Sequence, residues 1–142
     1  MASMKIGELG RVSFSEAIHV SVIIPHFYTS RDEKVRKLLI SLREQTYKDM
    51  EVIVVPGISP QGKAINEGAR AARGEILMVM DDDSQIGHSR VVENLVRAIR
   101  EDTSVAMAGA SILTPGDANS FQKLAARQFP RFNMPVAKEM TK

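Results

Sequence analysis

The chain has 142 residues, 44% hydrophobic and 25% charged, enough for one soluble domain with a core of several strands and helices. Nineteen basic residues against seventeen acidic ones leave a formal charge of +2, so bulk electrostatics favours neither nucleic acid nor a membrane surface. There is no cysteine, which removes disulfides, thiolate metal sites and thiol nucleophiles, and no apolar run approaches the roughly 18 residues of a transmembrane helix.

Met1-Ala2-Ser3 ahead of Met4 reads as a vector remnant. No signal peptide is visible, so a cytoplasmic location is the default, with membrane association as its variant. Residues 4–19 carry weak signals and read as an arm or a short edge element. "HVSVIIP" (19–25) is a continuous β-branched run ended by proline, the pattern of a buried strand. Val35, Leu38, Leu39 and Leu42 follow at helical spacing. Ser30 with Glu33 three residues later reads as that helix's capping box. "MEVIVVP" (50–56) is a second strand, and "PGISPQG" a loop by its glycines and prolines. Ile65, Ala69 and Ala72 mark a second helix, which Gly74 is expected to stop. "EILMVM" (75–80) is the third strand. Val91, Val92, Leu95, Val96 and Ile99 give a third helix, with Ser89 as its expected cap. "VAMAGASIL" (105–113) reads as a fourth strand, and "SFQKLAARQF" (120–129) as a last helix.

The order β-α-β-α-β-α-β-α argues an α/β fold. It predicts an open, mostly parallel Rossmann-like sheet with helices on both faces and right-handed crossovers. In such sheets the ligand sits outside the carboxyl ends of the strands. Three adjacent aspartates, Asp81, Asp82 and Asp83, fall at that end of the third strand. The ordinary alternative is a solvated acidic loop in which Asp83 or Ser84 caps the next helix. Their place in the fold favours chemistry instead. D-x-D spacing leaves Asp81 and Asp83 free to share one hard cation, magnesium or manganese, while Asp82 points elsewhere.

"VSVIIPHFYTSRDEKVRKLLISLREQTYKDMEVIVV" followed by "GKAINEGARAARGEILMVMDDDS" resembles the family 2 glycosyltransferases of the GT-A fold. The resemblance spans roughly 20–113, leaving 1–19 as tag and arm and 114–142 as a C-terminal helix and tail. It implies a nucleotide-sugar donor, a saccharide or lipid-linked acceptor, and transfer of a hexose with inversion. It places Pro25, His26 and Phe27 in the donor pocket, with Lys63 and Asn66 near the nucleotide or its phosphates. Asp81 and Asp83 match the family's metal-holding pair, Asp81 and Asp82 being donor contacts as well. It also implies a GT-A-like strand order beginning 2-1-3, with strand 50–56 at the edge.

Two departures stand out. Relatives place an Asp-Asp-Gly-Ser type loop after the second strand, whose acid recognises the nucleobase; here the loop is "PGISPQGKAIN". The family's later half, with its acceptor contacts and carboxylate base, has no counterpart after residue 113, and Glu139 is a poor candidate for the base. A domain without that half exposes apolar surface for a partner, so a homo-oligomer is one expectation. A non-catalytic binding or assembly module, or a nucleotidyltransferase, is the alternative function. His88 is read as a surface or capping residue ahead of a metal ligand. Gly57, Gly62 and Gly68 match no phosphate-loop fingerprint, and Lys123, Arg127 and Arg131 read first as a solvated basic face.

Overall fold

The computed structural model describes residues 10–128. The chain divides into two compact units, Met1–Val96 and Arg97–Lys142. The first holds β1 (Gly10–Ser13), β2 (Val20–His26), a 3-10 turn (Thr29–Arg31), α1 (Asp32–Arg43), β3 (Met50–Pro56), α2 (Gln61–Ala71) and β4 (Ile76–Val79); α3 (Val91–Glu101) begins in it. The second holds α4 (Ser120–Gln128).

The four strands form one mixed sheet in the order β1-β3-β2-β4. β2 pairs in parallel with β3 on one side and β4 on the other, and β1 pairs antiparallel with β3. Two expectations are corrected here. Counted with β1, the order is 1-3-2-4 rather than one beginning 2-1-3, and the strand at 50–56 is not an edge, although the three expected strands keep their relative order, 50–56 then 20–26 then 76–79. The sheet is mixed rather than mostly parallel. The reason is β1, which covers β3: "GRVS" is too short and polar to announce itself, and its ladder partner lies about forty residues away, Gly10 opposite Val54.

Helices cover both faces. Val20, Val22 and Ile24 of β2 with Met50, Val52 and Val54 of β3 meet α1 (Val35, Leu38, Leu42) and α3 (Val92, Val96). The alternate residues Ile23, Ile53 and Val55 meet Ala64 of α2 on the opposite face. α2 lies close because Gly68 has no side chain; a Cβ there would come within 2.5 Å of Ile23 Cγ2. The fully buried residues of α2 are Ala64 and Gly68, and Ala69 and Ala72 pack partly buried against the same cluster.

Buried among these apolar neighbours is one charged group, Glu51 of β3. Ser21 Oγ donates to its Oε1 at 2.8 Å and the backbone N–H of Arg73 donates to the same oxygen at 2.8 Å. Arg73 Nε donates to Oε2 at 3.0 Å, and Arg11 Nε lies 3.4 Å from it. Arg11 also donates to the carbonyl of Ala71. The cluster ties β1, β2, β3 and the α2–β4 turn together. Burial opposes the charge on Glu51, but these hydrogen bonds and the Arg11 charge prevail, holding its carboxyl below the ordinary value. Gly74 closes the cluster. Its N–H donates to Ser21 Oγ at 2.9 Å, and a Cβ on it would meet the β2 backbone at 2.7 Å. Gly74 is thus a close-approach residue; α2 has already ended at Ala71.

Three local expectations change. Ser30 caps nothing, because the chain enters α1 through the 3-10 turn and the N-cap position falls on Arg31 without a side-chain bond. α3 is capped from a distance: the buried Gln45 accepts from Val92 N–H at 3.2 Å, whereas Ser89 offers its carbonyl to Thr46. Residues 105–113 form no strand. That run is pairing-competent by composition, but a strand exists only in a ladder, and among the described residues it joins none; Met107, Ile112 and Leu113 are exposed.

Candidate functional site: an acidic cleft at the strand ends

β2 and β4 are parallel neighbours, so their carboxyl ends open side by side. Ile23 pairs with Val79, and Met80 N–H still donates to Ile23 carbonyl at 3.0 Å. One residue further the two chains separate, and the aspartates begin. The opening is a cleft of about 430 Å³ lined by Pro25, His26, Phe27, Tyr28, Arg31, Ile58, Ser59, Gln61 and Asp81–Asp83.

Its floor is a chain of polar contacts that runs from Arg31 through Asp82 and His26 to Asp32. Asp82 is buried. His26 Nδ1 lies 2.9 Å from its Oδ2, and Arg31 Nη1 donates to its Oδ1 at 2.7 Å. His26, equally buried, sets its Nε2 2.8 Å from Asp32 Oδ1 at the start of α1. The ring thus bridges the two carboxylates, one on each nitrogen. Burial opposes the charge on Asp82, but the hydrogen bonds from His26 and Arg31 and the Arg31 charge outweigh it and lower its carboxyl from the ordinary value. Arg31 is correspondingly held in its charged form, chiefly by the hydrogen bond to Asp82 and then by its charge.

The outer two aspartates differ from the middle one. Asp81 and Asp83 are exposed. Gln61, first residue of α2, donates to Asp81 Oδ1 at 2.8 Å. Arg31 Nη1 lies 3.6 Å from Asp83 Oδ2. No helix starts at this loop, since α3 begins only at Val91; Asp83 and Ser84 cap nothing. The rim carries Phe27 and Tyr28, both about half-exposed and set edge to face with centroids 5.1 Å apart.

Of the residues singled out by sequence, Pro25, His26, Phe27 and all three aspartates meet at the cleft. Asp82, placed among the donor contacts, has both oxygens engaged inside the protein. Lys63 and Asn66 are exposed on α2 and are not among the lining residues. His88 accepts the N–H of Arg90 at 3.1 Å, a capping role. Lys123 and Arg127 lie exposed on α4, while Arg131 and Glu139 fall outside the described residues. Sequence reasoning missed Tyr28, Arg31 and Gln61. The signal for Arg31 was available: three adjacent carboxylates at the edge of a core require a counter-charge, and Arg31 is the first basic residue after the strand that must flank them.

Among the described residues no three histidine, aspartate or glutamate side chains are grouped so as to hold an ion unaided. The donors the cleft does offer are two exposed carboxylates. Oxygen-only donors in that number suit a magnesium-type ion, which binds through one or two carboxylates and fills its shell with water and substrate phosphates. The residues present therefore fit such a cation at Asp81 and Asp83, and not at Asp82.

The carboxyl ends of adjacent parallel strands, where this cleft opens, are the place at which open α/β sheets take their ligands. The sequence model of the family described as Glycosyl transferase family 2 matches residues 59–139, more than half of the chain, and the chain belongs to that family. The match begins after β3 and continues beyond residue 113, where the resemblance was expected to end. No curated protein and no solved structure matches the chain. No helix among the described residues is long and apolar enough to cross a membrane.

Proposed function

We propose that the chain is the donor-binding part of a glycosyltransferase that transfers a sugar from a nucleoside diphosphate sugar to a saccharide or lipid-linked acceptor. The observation that carries this reading is the arrangement of the aspartates: the middle one is sealed into the protein while its neighbours stand exposed on one cleft beside Pro25–Phe27. Family membership supports the reaction class. The donor diphosphate lies toward Asp81 and Asp83, and the half-exposed rings of Phe27 and Tyr28 offer a face for the nucleoside. No acid follows β3, where the loop runs Pro56–Pro60, so base selection by a carboxylate at that place is not part of the reading. A divalent cation held by Asp81 and Asp83 would supply Lewis-acid neutralisation of the charge that develops on the departing diphosphate. His26 and Arg31 hold Asp82, and Asp82 in turn sets where its two neighbours stand.

Calorimetric titration of the intact chain with uridine, guanosine, cytidine and adenosine diphosphates, with and without manganese, tests the reading. Binding of at least one diphosphate, strengthened by manganese, is the expected result. Failure of all four under both conditions would remove it.

A further inference from the structure

Arg31 is poorly accounted for by a merely structural role. A guanidinium has five N–H donors. Arg31 makes its polar contacts with the aspartates through Nη1 alone, at 2.7 Å to Asp82 and 3.6 Å to Asp83. Its side chain remains 39% exposed on the cleft wall, and Cζ sits 5.6 Å from the centroid of the half-exposed Tyr28 ring. The two aspartate contacts are unequal. The one to Asp82 is a short charge-assisted bond to a buried group, itself anchored by His26 and Asp32. The one to Asp83 is longer than a hydrogen bond and solvent-facing on both sides, the kind of pair that contributes little. Asp82 is thus an anchor for Arg31, and Asp83 a loose partner.

We propose that Arg31 is a displaceable counter-ion: it neutralises Asp83 while the site holds no divalent cation, and it turns its fork to the donor's diphosphate when a cation takes Asp83. This deepens the function proposed above and rests on it for the diphosphate half; the cation half stands without it. The physical reason is charge. Asp81, Asp82 and Asp83 are consecutive, and a nearby positive charge relieves their mutual repulsion. A divalent cation on Asp81 and Asp83 supplies that charge and leaves the Arg31–Asp83 attraction redundant. Nη1 stays tethered to Asp82 on the wall of the cleft, and the remaining planar donors of the guanidinium match phosphate oxygens. Arginine and cation would then compete for Asp83 in the empty site and cooperate once a diphosphate is present. A residue that only braced the loop would produce no such reversal of sign.

The experiment compares parent protein with Arg31→Ala in two calorimetric arms. The first titrates manganese alone. The second titrates the tightest-binding nucleoside diphosphate at saturating manganese, with the corresponding nucleoside as control. In the variant, manganese alone binds severalfold more tightly, because its competitor is gone. The diphosphate binds roughly tenfold more weakly, the usual scale for a lost charge-assisted hydrogen bond, and the nucleoside is unaffected. Arg31→Lys, which retains the charge but not the fork, lies between the two in both arms and serves in place of the alanine variant if circular dichroism shows that variant unfolded. Manganese affinity that is unchanged or weaker in the variants overturns the counter-ion assignment, as does absence of manganese binding in parent and variant alike. If the parent binds manganese and a diphosphate, and the variants bind that diphosphate equally well, the assignment of Arg31 to the donor falls while the proposed function stands. If the parent binds no diphosphate at all, the proposed function falls, and with it the diphosphate half, while the manganese arm still decides whether Arg31 guards Asp83.

Discussion

The sheet buries two carboxylates, one on β3 and one just past β4, and surrounds them differently. Glu51 has a serine, a backbone amide and two arginines arranged about both oxygens, and its neighbours come from three separate parts of the chain. Asp82 also has two basic partners, but its chain neighbours Asp81 and Asp83 are exposed on a cleft and one of its partners reaches past it toward solvent. The first cluster is closed: Glu51 is fully buried and both of its oxygens are engaged by partners that tie strands together. The second is closed beneath and open above. Burial of a carboxylate therefore does not by itself mark a functional site; what marks it is acceptor and donor capacity left over in a place a ligand can reach. No buried side-chain nitrogen or oxygen among the described residues lacks a partner, so that surplus resides entirely in half-exposed and exposed groups.

The largest effect is expected at the closed cluster. Glu51→Ala removes the acceptor that Arg11, Arg73 and Ser21 share. Breaking a buried ion pair typically costs about 3–5 kcal/mol. Arg11 and Arg73 are partly exposed and recover some hydration, so the lower end, about 3 kcal/mol, is expected from urea unfolding. A loss below about 1 kcal/mol would mean that the cluster is ornamental and that the comparison fails on its structural side. Gly74→Ala comes next. Its Cβ would press on the β2 backbone at 2.7 Å, and overpacking of this kind costs about 1–3 kcal/mol. The control is Gly62 in α2, next to the cleft residue Gln61, where an added Cβ has nothing within 4 Å. Gly62→Ala should leave stability unchanged or raise it by about 0.5–1 kcal/mol through helix propensity. Equal effects at the two glycines would erase the distinction between closed and open regions.

A smaller effect is expected from acid. Both carboxyls are lowered in the folded state, Glu51 from an ordinary 4.5 and Asp82 from an ordinary 3.8. A lowered carboxyl contributes stability that is fully present above its unfolded value and is lost as pH falls through the folded one. Unfolding free energy of the parent should therefore decline as pH drops below 4.5. Glu51→Gln should flatten the decline from that point downward, and Asp82→Asn only its part below 3.8. Acid profiles of the two variants that run parallel to the parent's would show that neither carboxyl carries the linkage.

How much of this could be read from sequence depends on whether the information is local. β2, β3 and the aspartates announce themselves, because a β-branched run ended by proline or acid is a statement about adjacent residues. β1 does not, because it is a strand only through its pairing with β3. Residues 105–113 err in the opposite direction, having the composition of a strand but pairing with no strand among the described residues. The cap on α3 comes from Gln45, forty-seven positions before the amide it satisfies, which no capping rule within one segment can find. Glu51 was legible in principle. An acid inside "MEVIVVP", in a sheet expected to be covered on both faces, demands a cation, and the next turn to return to that sheet carries Arg73. The same logic would have found Arg31 from the three aspartates. D-x-D spacing separates the outer pair from Asp82, but it does not say what holds the middle one inward. Alternation of side chains leaves either the middle one or the outer pair facing the core, and the choice is made by His26, which reaches Asp82 across the join between β2 and β4.

The smallest effect on stability, and the most specific on binding, is expected at Asp83. It is exposed, its one described ion pair is the long contact to Arg31, and Arg31 keeps its stronger bond to Asp82 when Asp83 is changed. Surface substitutions away from buried networks fall within about ±0.5 kcal/mol, so Asp83→Asn should unfold in urea within that range of the parent. Its effect belongs to the cleft. Asparagine keeps the shape of the side chain but removes one of the two exposed charges that fit a cation there. Cation and nucleoside diphosphate, if they share a shell, must strengthen each other by one common factor. Asp83→Asn should reduce that factor roughly tenfold, the scale of one lost charge-assisted contact, while leaving diphosphate binding without manganese little changed. The same substitution at Asp82 should do the reverse, costing stability first, since it loosens the bonds from His26 and Arg31 together. Calorimetry and urea unfolding on both variants decide the matter. Two adjacent aspartates with opposite signatures would establish that the open and sealed positions differ in kind. An Asp83→Asn protein that destabilises as Asp82→Asn does, with its manganese coupling intact, would make the aspartates one structural cluster and leave the cleft without its chemistry.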